Sequence, residues 1–154
     1  MAGVVKTRQG DDDVYEAITA VNGGDLVVPS SVGVTNPTVQ GIAQAGATAL
    51  NVLGVAARRA EPVTSQNLSG TDADGFPFAY PNPVSELTTV YKHCVTTVVY
   101  TAVAVAFGVK LKSAANGQVQ AWVSGTDSSA AVIGECRVVG GMSSAGGPGL
   151  AYIY

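Results

Sequence analysis

The longest apolar stretch of the chain, VVYTAVAVAFGVKLK at residues 98–112, alternates between two kinds of side chain. Its odd positions carry valine, threonine, phenylalanine and leucine, whereas the even positions from Ala102 to Gly108 carry only alanine and glycine. A period of two is typical of a β-strand, and the β-branched residues disfavour a helix. The pattern predicts one long strand, bent or bulged at Gly108, whose small-residue face packs against a second sheet or a neighbouring subunit.

Other β-branched runs bounded by glycine, proline or asparagine predict further strands. The clearest turn is Ala115-Asn116-Gly117, which predicts a hairpin leading into a strand at 118–123. Only 38–49 and 84–91 have any helical character, and it is weak in both. The other predicted strands are Val14–Val21 (or a short helix), Asp25–Pro29, Asn51–Ala57 and Ala131–Val139. Together these elements predict an all-β fold.

Three segments lie outside this pattern and predict extensions from a single β domain at 14–139. Residues 1–13 form an N-terminal arm, and the polar, Pro-rich and Gly-rich residues at about 58–91 form a long central loop. Residues 140–154 form a flexible Gly-rich tail with an apolar end. We expect removal of the arm or the tail to leave the domain folded.

Two parts of the chain align when the sequence is shifted by 80 residues. Val39-Gln40 then falls on Val119-Gln120, and Val52-Leu53-Gly54 falls on Val132-Ile133-Gly134. The alignment indicates either two similar β units or a chance match between valine-rich strands.

The composition restricts the classes of partner. Charged residues make up 12% of the chain, about half the usual share, so we expect other protein to cover part of its surface. The net charge of −3 without a basic stripe argues against nucleic acid. The apolar run is too short for a membrane helix. The N-terminus lacks a secretory apolar segment, which predicts synthesis in a cytoplasm.

The chain carries no pattern typical of an enzyme or a metal site. Cys94 and Cys136 lack zinc-ligand spacing and are expected to be reduced and buried. The acidic run at 11–13 and the partial calcium-loop pattern at 71–75 are expected to be surface turns. His93 is the sole histidine, and no GxSxG motif accompanies it. We therefore predict no catalytic residue, no cofactor and no metal, and a protein that is not an enzyme.

Arginine and aromatic side chains in the predicted extensions are candidates for a partner interface, because these residue types dominate binding energy at interfaces. Two arginines follow a predicted strand, three aromatics lie in the long loop, and two tyrosines end the tail. The predicted interface residues are Arg58, Arg59, Phe76, Phe78, Tyr80, Tyr152 and Tyr154.

Two segments, NVLGVAARRA and GVKLKSAANGQVQAWVSGTDSSAAVIGECRVVGG, resemble the repeating sequence pattern of small capsid decoration (cement) proteins of tailed bacteriophages. The match covers roughly the last third of the chain and, weakly, its middle. Glu135-Cys136 departs from the small apolar pair usual in that family. The residues that carry the resemblance are Gly108, Leu111, Gly117, Val119 and Val132-Ile133-Gly134.

The resemblance implies a compact β-barrel or β-tulip-like domain that forms a homotrimer on a lattice of major capsid protein. It implies a structural virion protein, made in the host bacterial cytoplasm, that binds the outer surface of the assembled capsid and stabilises it. Its partners would be the major capsid protein and itself, with no nucleic acid and no membrane. Two alternatives stay open: a tail or fibre subunit, and a calcium-binding or carbohydrate-binding module that uses Asp72, Asp74 and the loop aromatics.

Overall fold

The computed structural model of the chain describes residues 12–32, 34, 39–62, 69–71, 74–75, 77–79, 85–143 and 146–154. Over these residues the secondary structure is β-strand apart from two single-turn 3-10 helices, at Ala115–Gly117 and Ser129–Ala131. The strands are β1 (Asp12–Ala17), β2 (Leu26–Ser30), β3 (Gln40–Gln44), β4 (Gly54–Ala56), β5 (Ser69–Thr71), β6 (Pro77–Ala79), β7 (Leu87–Tyr91), β8 (Val95–Tyr100), β9 (Lys110–Ser113), β10 (Val119–Ala121), β11 (Gly134–Cys136) and β12 (Pro148–Ile153). No helix in the described ranges has the length and hydrophobicity needed to cross a bilayer.

Five strands of the first half close into a barrel in the order β1-β3-β2-β4-β7, which we call the first barrel. β1 runs parallel to β3, and the other neighbours are antiparallel. The barrel interior is filled by one side of each strand, as the period-two alternation requires. The prediction of an all-β fold with a barrel is confirmed.

The second half forms a five-stranded sheet in the order β10-β9-β11-β12-β8, which we call the second sheet. Thr101, one residue beyond β8, forms a parallel bridge with Val119 at the start of β10. This bridge brings the two edge strands of the second sheet together.

The second sheet has the same topology as the first barrel. Strands β8 to β12 correspond, in chain order, to β1, β2, β3, β4 and β7, and each pair of neighbours in one half has its counterpart in the other. The registers also agree: Gly54 lies opposite Val27 in the first barrel, and Gly134 lies opposite Leu111 in the second sheet. The chain therefore contains two copies of one β unit.

The two cores are built from equivalent positions, and every one of these side chains is buried. The side chains differ in volume, so each core is packed by its own combination of large and small residues. The equivalent pairs are Tyr15 and Val99, Val21 and Val105, Val27 and Leu111, Ile42 and Val119, Ala56 and Cys136, Ala60 and Met142, and Val90 and Ala151.

The structure agrees with the 80-residue offset at the C-terminal end of the aligned segments but not at their N-terminal end. Gly54 and Gly134 occupy equivalent positions, as the aligned sequences indicate. Val119, however, is equivalent to Ile42 and not to Val39, because the connection between β10 and β11 is longer than that between β3 and β4. A constant offset cannot accommodate this difference in loop length.

The predicted long strand at 98–112 is wrong. β8 ends at Tyr100, residues 101–109 are irregular apart from isolated bridges, and β9 begins at Lys110. The backbone of this connection pairs instead with Val119 and Met142, and its small side chains are mostly exposed, with no described strand packed on them. The alternation in this stretch reflects composition and does not report an extended strand.

The predicted flexible tail is also wrong. β12 lies between β11 and β8 and pairs with both, so residues 148–153 belong to the second sheet and the domain does not end at 139. Ala151 and Ile153 are buried. The glycines and serines before β12 form only the connection that leads into it.

The predicted long loop is partly structured. It contains the β5-β6 hairpin, and its last residues form β7, a barrel strand with Thr88 and Val90 buried. The weak helical character assigned to 84–91 and to 38–49 is wrong as well, because these segments contain β7 and β3. Of the predicted N-terminal arm, residues 1–11 lie outside the described residues and β1 begins at Asp12.

Candidate partner interface

One outer face of the first barrel packs against the second sheet. Leu26, Ala45 and Val55 point away from the barrel interior and have relative exposures of 0%, 1% and 0%. They belong to the same hydrophobic cluster as the core of the second sheet. We call these three residues the docked face, and its burial joins the two halves into one hydrophobic unit.

Backbone hydrogen bonds fix the loop after β3 on the second sheet. The Gly117 amide donates to the Ala45 carbonyl oxygen at 2.9 Å, and the Thr48 amide donates to the Ser113 carbonyl oxygen at 3.1 Å. The Ala49 amide donates to Ser113 Oγ at 2.7 Å. These bonds satisfy backbone groups that the contact removes from water.

Asp25 lies buried at the rim of this contact, where its carboxylate is hydrogen-bonded. Its Oδ2 accepts from the Asn22 amide at 2.8 Å and from Gln44 Nε2 at 2.8 Å. The backbone of Gly117 approaches so closely that a Cβ there would lie 2.9 Å from the Asp25 Cβ and from the Gln44 Cγ. This close approach requires glycine, so the turn residue predicted at 117 also fits the two halves together.

The face of the second sheet that is equivalent to the docked face is open. Lys110, Trp122 and Glu135 stand where the first barrel has Leu26, Ala45 and Val55, as the shared registers show. Glu135 pairs with Lys110 on one side and with Tyr152 on the other, so the side chains form one row across the sheet. We call Lys110, Trp122, Glu135 and Tyr152 the open face.

The open face is held in place by contacts between charges and rings. Lys110 Nζ lies 5.7 Å from the centroid of the Trp122 ring, and the Arg137 guanidinium lies 5.4 Å from that of Tyr152. Glu135 forms an ion pair with Arg137 and accepts a hydrogen bond from the Tyr154 hydroxyl at 3.1 Å. Each charged group of the open face thus has a partner within its own chain.

The two tyrosines at the end of the chain lie against each other with ring centroids 6.0 Å apart. A hydrogen bond with Cys94 raises the pKa of Tyr152. Burial, and next the hydrogen bond to Glu135, raise the pKa of Tyr154. Both hydroxyls therefore stay protonated and able to donate at neutral pH. Cys94 itself is exposed, so the expectation that it is buried is wrong, whereas Cys136 is buried as predicted.

Several large apolar side chains of the second half are exposed to solvent. Phe107 is 54% exposed and Val123 is 51% exposed. Val98 and Leu150 are cross-strand neighbours on the outer surface of β8 and β12, and both are also exposed. An outer surface that combines aromatic, arginine and exposed aliphatic side chains is typical of a protein interface.

The structure brings together Tyr152 and Tyr154 from the predicted interface. Arg58 and Arg59 lie on the first barrel after β4, where they bond to the Leu87 carbonyl oxygen and to Glu61. Phe76 and Tyr80 lie outside the described residues. Phe78 is in β6, and nothing is described of its side chain.

Sequence reasoning did not assign Lys110, Glu135 or Arg137 to an interface. The repeat could have found Glu135 and Arg137, because an offset of 80 aligns them with the apolar Val55 and Ala57. Lys110 is aligned with Ser30 at that offset, and only the strand registers show that it is equivalent to Leu26. Asp72, part of the calcium-loop pattern, also lies outside the described residues, and no cluster of metal-ligating side chains occurs in the part of the chain that is described.

An ion pair between Asp127 and Lys112 holds the loop that carries Val123. We expect it to make the free energy of unfolding depend on pH. Asp127 accepts from Lys112 Nζ at 2.5 Å and from the Val123 amide at 2.7 Å, and these bonds lower the pKa of Asp127. Because the folded pKa is below the unfolded value of about 4, the ionised carboxylate stabilises the fold above that value. This stabilisation is lost as the pH falls through the folded pKa.

Asp127→Asn is therefore expected to lower the free energy of unfolding at pH 7, and the difference from the parent chain is expected to shrink toward pH 2. Urea unfolding at both pH values measures this difference. An equal difference at both would show that the charge of Asp127 plays no part.

Comparison with known proteins adds evidence on the fold. Neither the family models nor the curated proteins contain a match to this sequence. A solved structure does match: the N base of the head fiber protein gp8.5 of bacteriophage phi29, with a TM-score of 0.60 and 14% identity. The fold is similar to a phage head fiber base. The match covers 95% of both chains, so the likeness includes both halves of this one.

Proposed function

We propose that this chain is a non-enzymatic structural protein of a bacteriophage virion that binds the outer surface of the assembled capsid and stabilises it. The observation that carries the proposal is the similarity of fold to a phage head fiber base over 95% of both chains. The resemblance of the last third of the sequence to capsid decoration proteins supports the same class independently.

The surface of the chain agrees with this role. Only 12% of its residues are charged, and the second half exposes Phe107, Val123 and Leu150. Binding in many copies lets modest contacts at each site stabilise a whole shell. The proposed partners are the major capsid protein and the chain itself, as a homotrimer, with no nucleic acid and no membrane.

Sedimentation with capsids tests the proposal. Purified chain is mixed with heads that lack it, from the virus that encodes it, in expanded and unexpanded forms. We expect the chain to sediment with expanded heads at a fixed ratio and to raise the temperature at which they release DNA. Failure to bind either form would contradict the proposal.

A role as a fibre subunit is the second candidate function, because the protein of similar fold is itself part of a head fiber. Electron microscopy of virions labelled with antibody against the chain separates the two. Label spread over the head surface favours decoration, whereas label confined to projecting fibres or to the tail favours the second candidate.

A further inference from the structure

Part of the contact between the two halves joins surfaces that are not equivalent. At another edge of the contact, equivalent residues such as Leu53 and Ile133 line the same cavity. The docked face of the first barrel meets a different part of the second sheet, represented by Ser113 and Gly117. Such a contact is heterologous, because the two units contribute different surfaces. We call the surface that the first barrel contributes the forward surface, and the surface that the second sheet contributes the receiving surface. Each half of the chain therefore keeps one of these two surfaces unused.

The unused forward surface belongs to the second sheet and is the open face. Trp122 stands in the position of Ala45, which is 1% exposed in the contact between halves. Val123 follows it in the loop equivalent to the one that binds Ser113, and it is about half exposed.

The unused receiving surface belongs to the first barrel. Pro29 and Gln40 are equivalent to Ser113 and Gly117, as the shared registers show. Both line an open groove of about 510 Å³, and the described residues that line it carry no charged side chain. The residues that line this groove are Pro29, Ser30, Ser31, Val34, Val39, Gln40 and Gly41.

We propose that the open face of one copy docks in the groove of a second copy, so that copies of this chain join head to tail and repeat the contact between the halves. Heterologous contacts form a ring when the rotation between copies closes, and a ring of three copies would contain six β units. The inference rests on the self-association in the proposed function and names the surfaces that perform it.

The chemistry of the two surfaces supports a second copy of the chain as the partner that binds in the groove. The groove offers apolar and uncharged polar atoms to Trp122 and Val123, the kind of pocket in which an aromatic anchor binds. Lys110 lies over the Trp122 ring, and Glu135 is paired with Arg137. Docking therefore buries the Glu135 carboxylate together with its counter-charge.

Cross-linking between copies tests the proposed register. Within one chain a Cβ on Gly117 would lie 2.9 Å from the Gln44 Cγ, and the equivalent positions across the proposed contact are Gln40 and Ala121. We expect a mixture of Q40C and A121C chains, each also carrying C94S, to form a disulfide-linked dimer under mild oxidation. Either variant alone should not. A control mixture of A121C with V139C should give no dimer, because the exposed Val139 lies outside both surfaces.

A new charge at Val123, which follows Trp122 of the open face, provides a second test. Val123→Lys is expected to reduce the mass measured by light scattering from that of the oligomer to that of a monomer, with an unchanged circular dichroism spectrum. Val139→Lys, the same change at an 89% exposed position, should leave the oligomer intact.

The inference is overturned if the parent chain is oligomeric but the mixture of Q40C and A121C chains gives no cross-link, or if the parent chain is monomeric at every concentration. Head binding without the cross-link would contradict only this inference. The cross-link without head binding would contradict only the proposed function.

Discussion

A chain that ends at Gly147 is expected to lose the second sheet, because β12 supplies the strand between β11 and β8. The truncation removes the buried Ala151 and Ile153 and leaves β8 without its antiparallel partner. Two lost ladders and an opened core should cost on the order of 5 kcal/mol or more, as much as the whole stability of many small domains. Far-ultraviolet circular dichroism and the fluorescence of Trp122 in the second sheet measure the loss.

Leu150→Ala is the matched control for this truncation, since Leu150 lies on the same strand with its side chain exposed. Its free energy of unfolding should stay within roughly 1 kcal/mol of the parent value. A truncated chain that unfolds at the same urea concentration as the full chain would restore the interpretation of this segment as a loose tail.

Gly54→Ala and Gly134→Ala are each expected to destabilise the chain by about 3 kcal/mol or more. A Cβ at Gly54 would lie 2.1 Å from the Tyr91 carbonyl oxygen, and one at Gly134 would lie 2.2 Å from that of Tyr152. The atoms that would have to move are backbone atoms of paired strands, so relaxation breaks hydrogen bonds. Since the two sites are equivalent, the two losses should be similar, as urea unfolding can measure.

Gly46→Ala and Gly140→Ala serve as controls, one in each half of the chain. A Cβ at either position would meet no atom within 4 Å. Both should change the free energy of unfolding by no more than about 1 kcal/mol, and a reduced entropy of the unfolded chain favours a small gain. A tolerated alanine at 134 beside an intolerant 54 would contradict the equivalence of the two halves.

Local sequence signals predicted the strands well where a turn bounded them. The asparagine of Ala115-Asn116-Gly117 adopts a left-handed conformation with φ of 57° and joins β9 to β10, as the hairpin prediction requires. The same reasoning failed for 101–109 and for 148–153. Alternation cannot tell an extended connection from a strand, and glycine content cannot show whether a following strand finds partners on both sides.

The candidate interface was harder to predict than the fold. Which side of Lys110 or Glu135 faces outward depends on the register of β9 and β11, which pairs residues far apart in sequence. Leu26 and Val55 read as ordinary core residues, although they point out of the barrel and are buried only because the second half packs on them. Only the comparison of two equivalent halves separates a docked face from an open one.

A cryo-electron microscopy map of phage particles carrying the chain is the test of the proposed function. We expect density for both β units, arranged as closed rings of copies on the outer surface of the head shell and in contact with the major capsid protein, as the proposed function requires. Density for the chain only on the tail, or none on the particle, would contradict it.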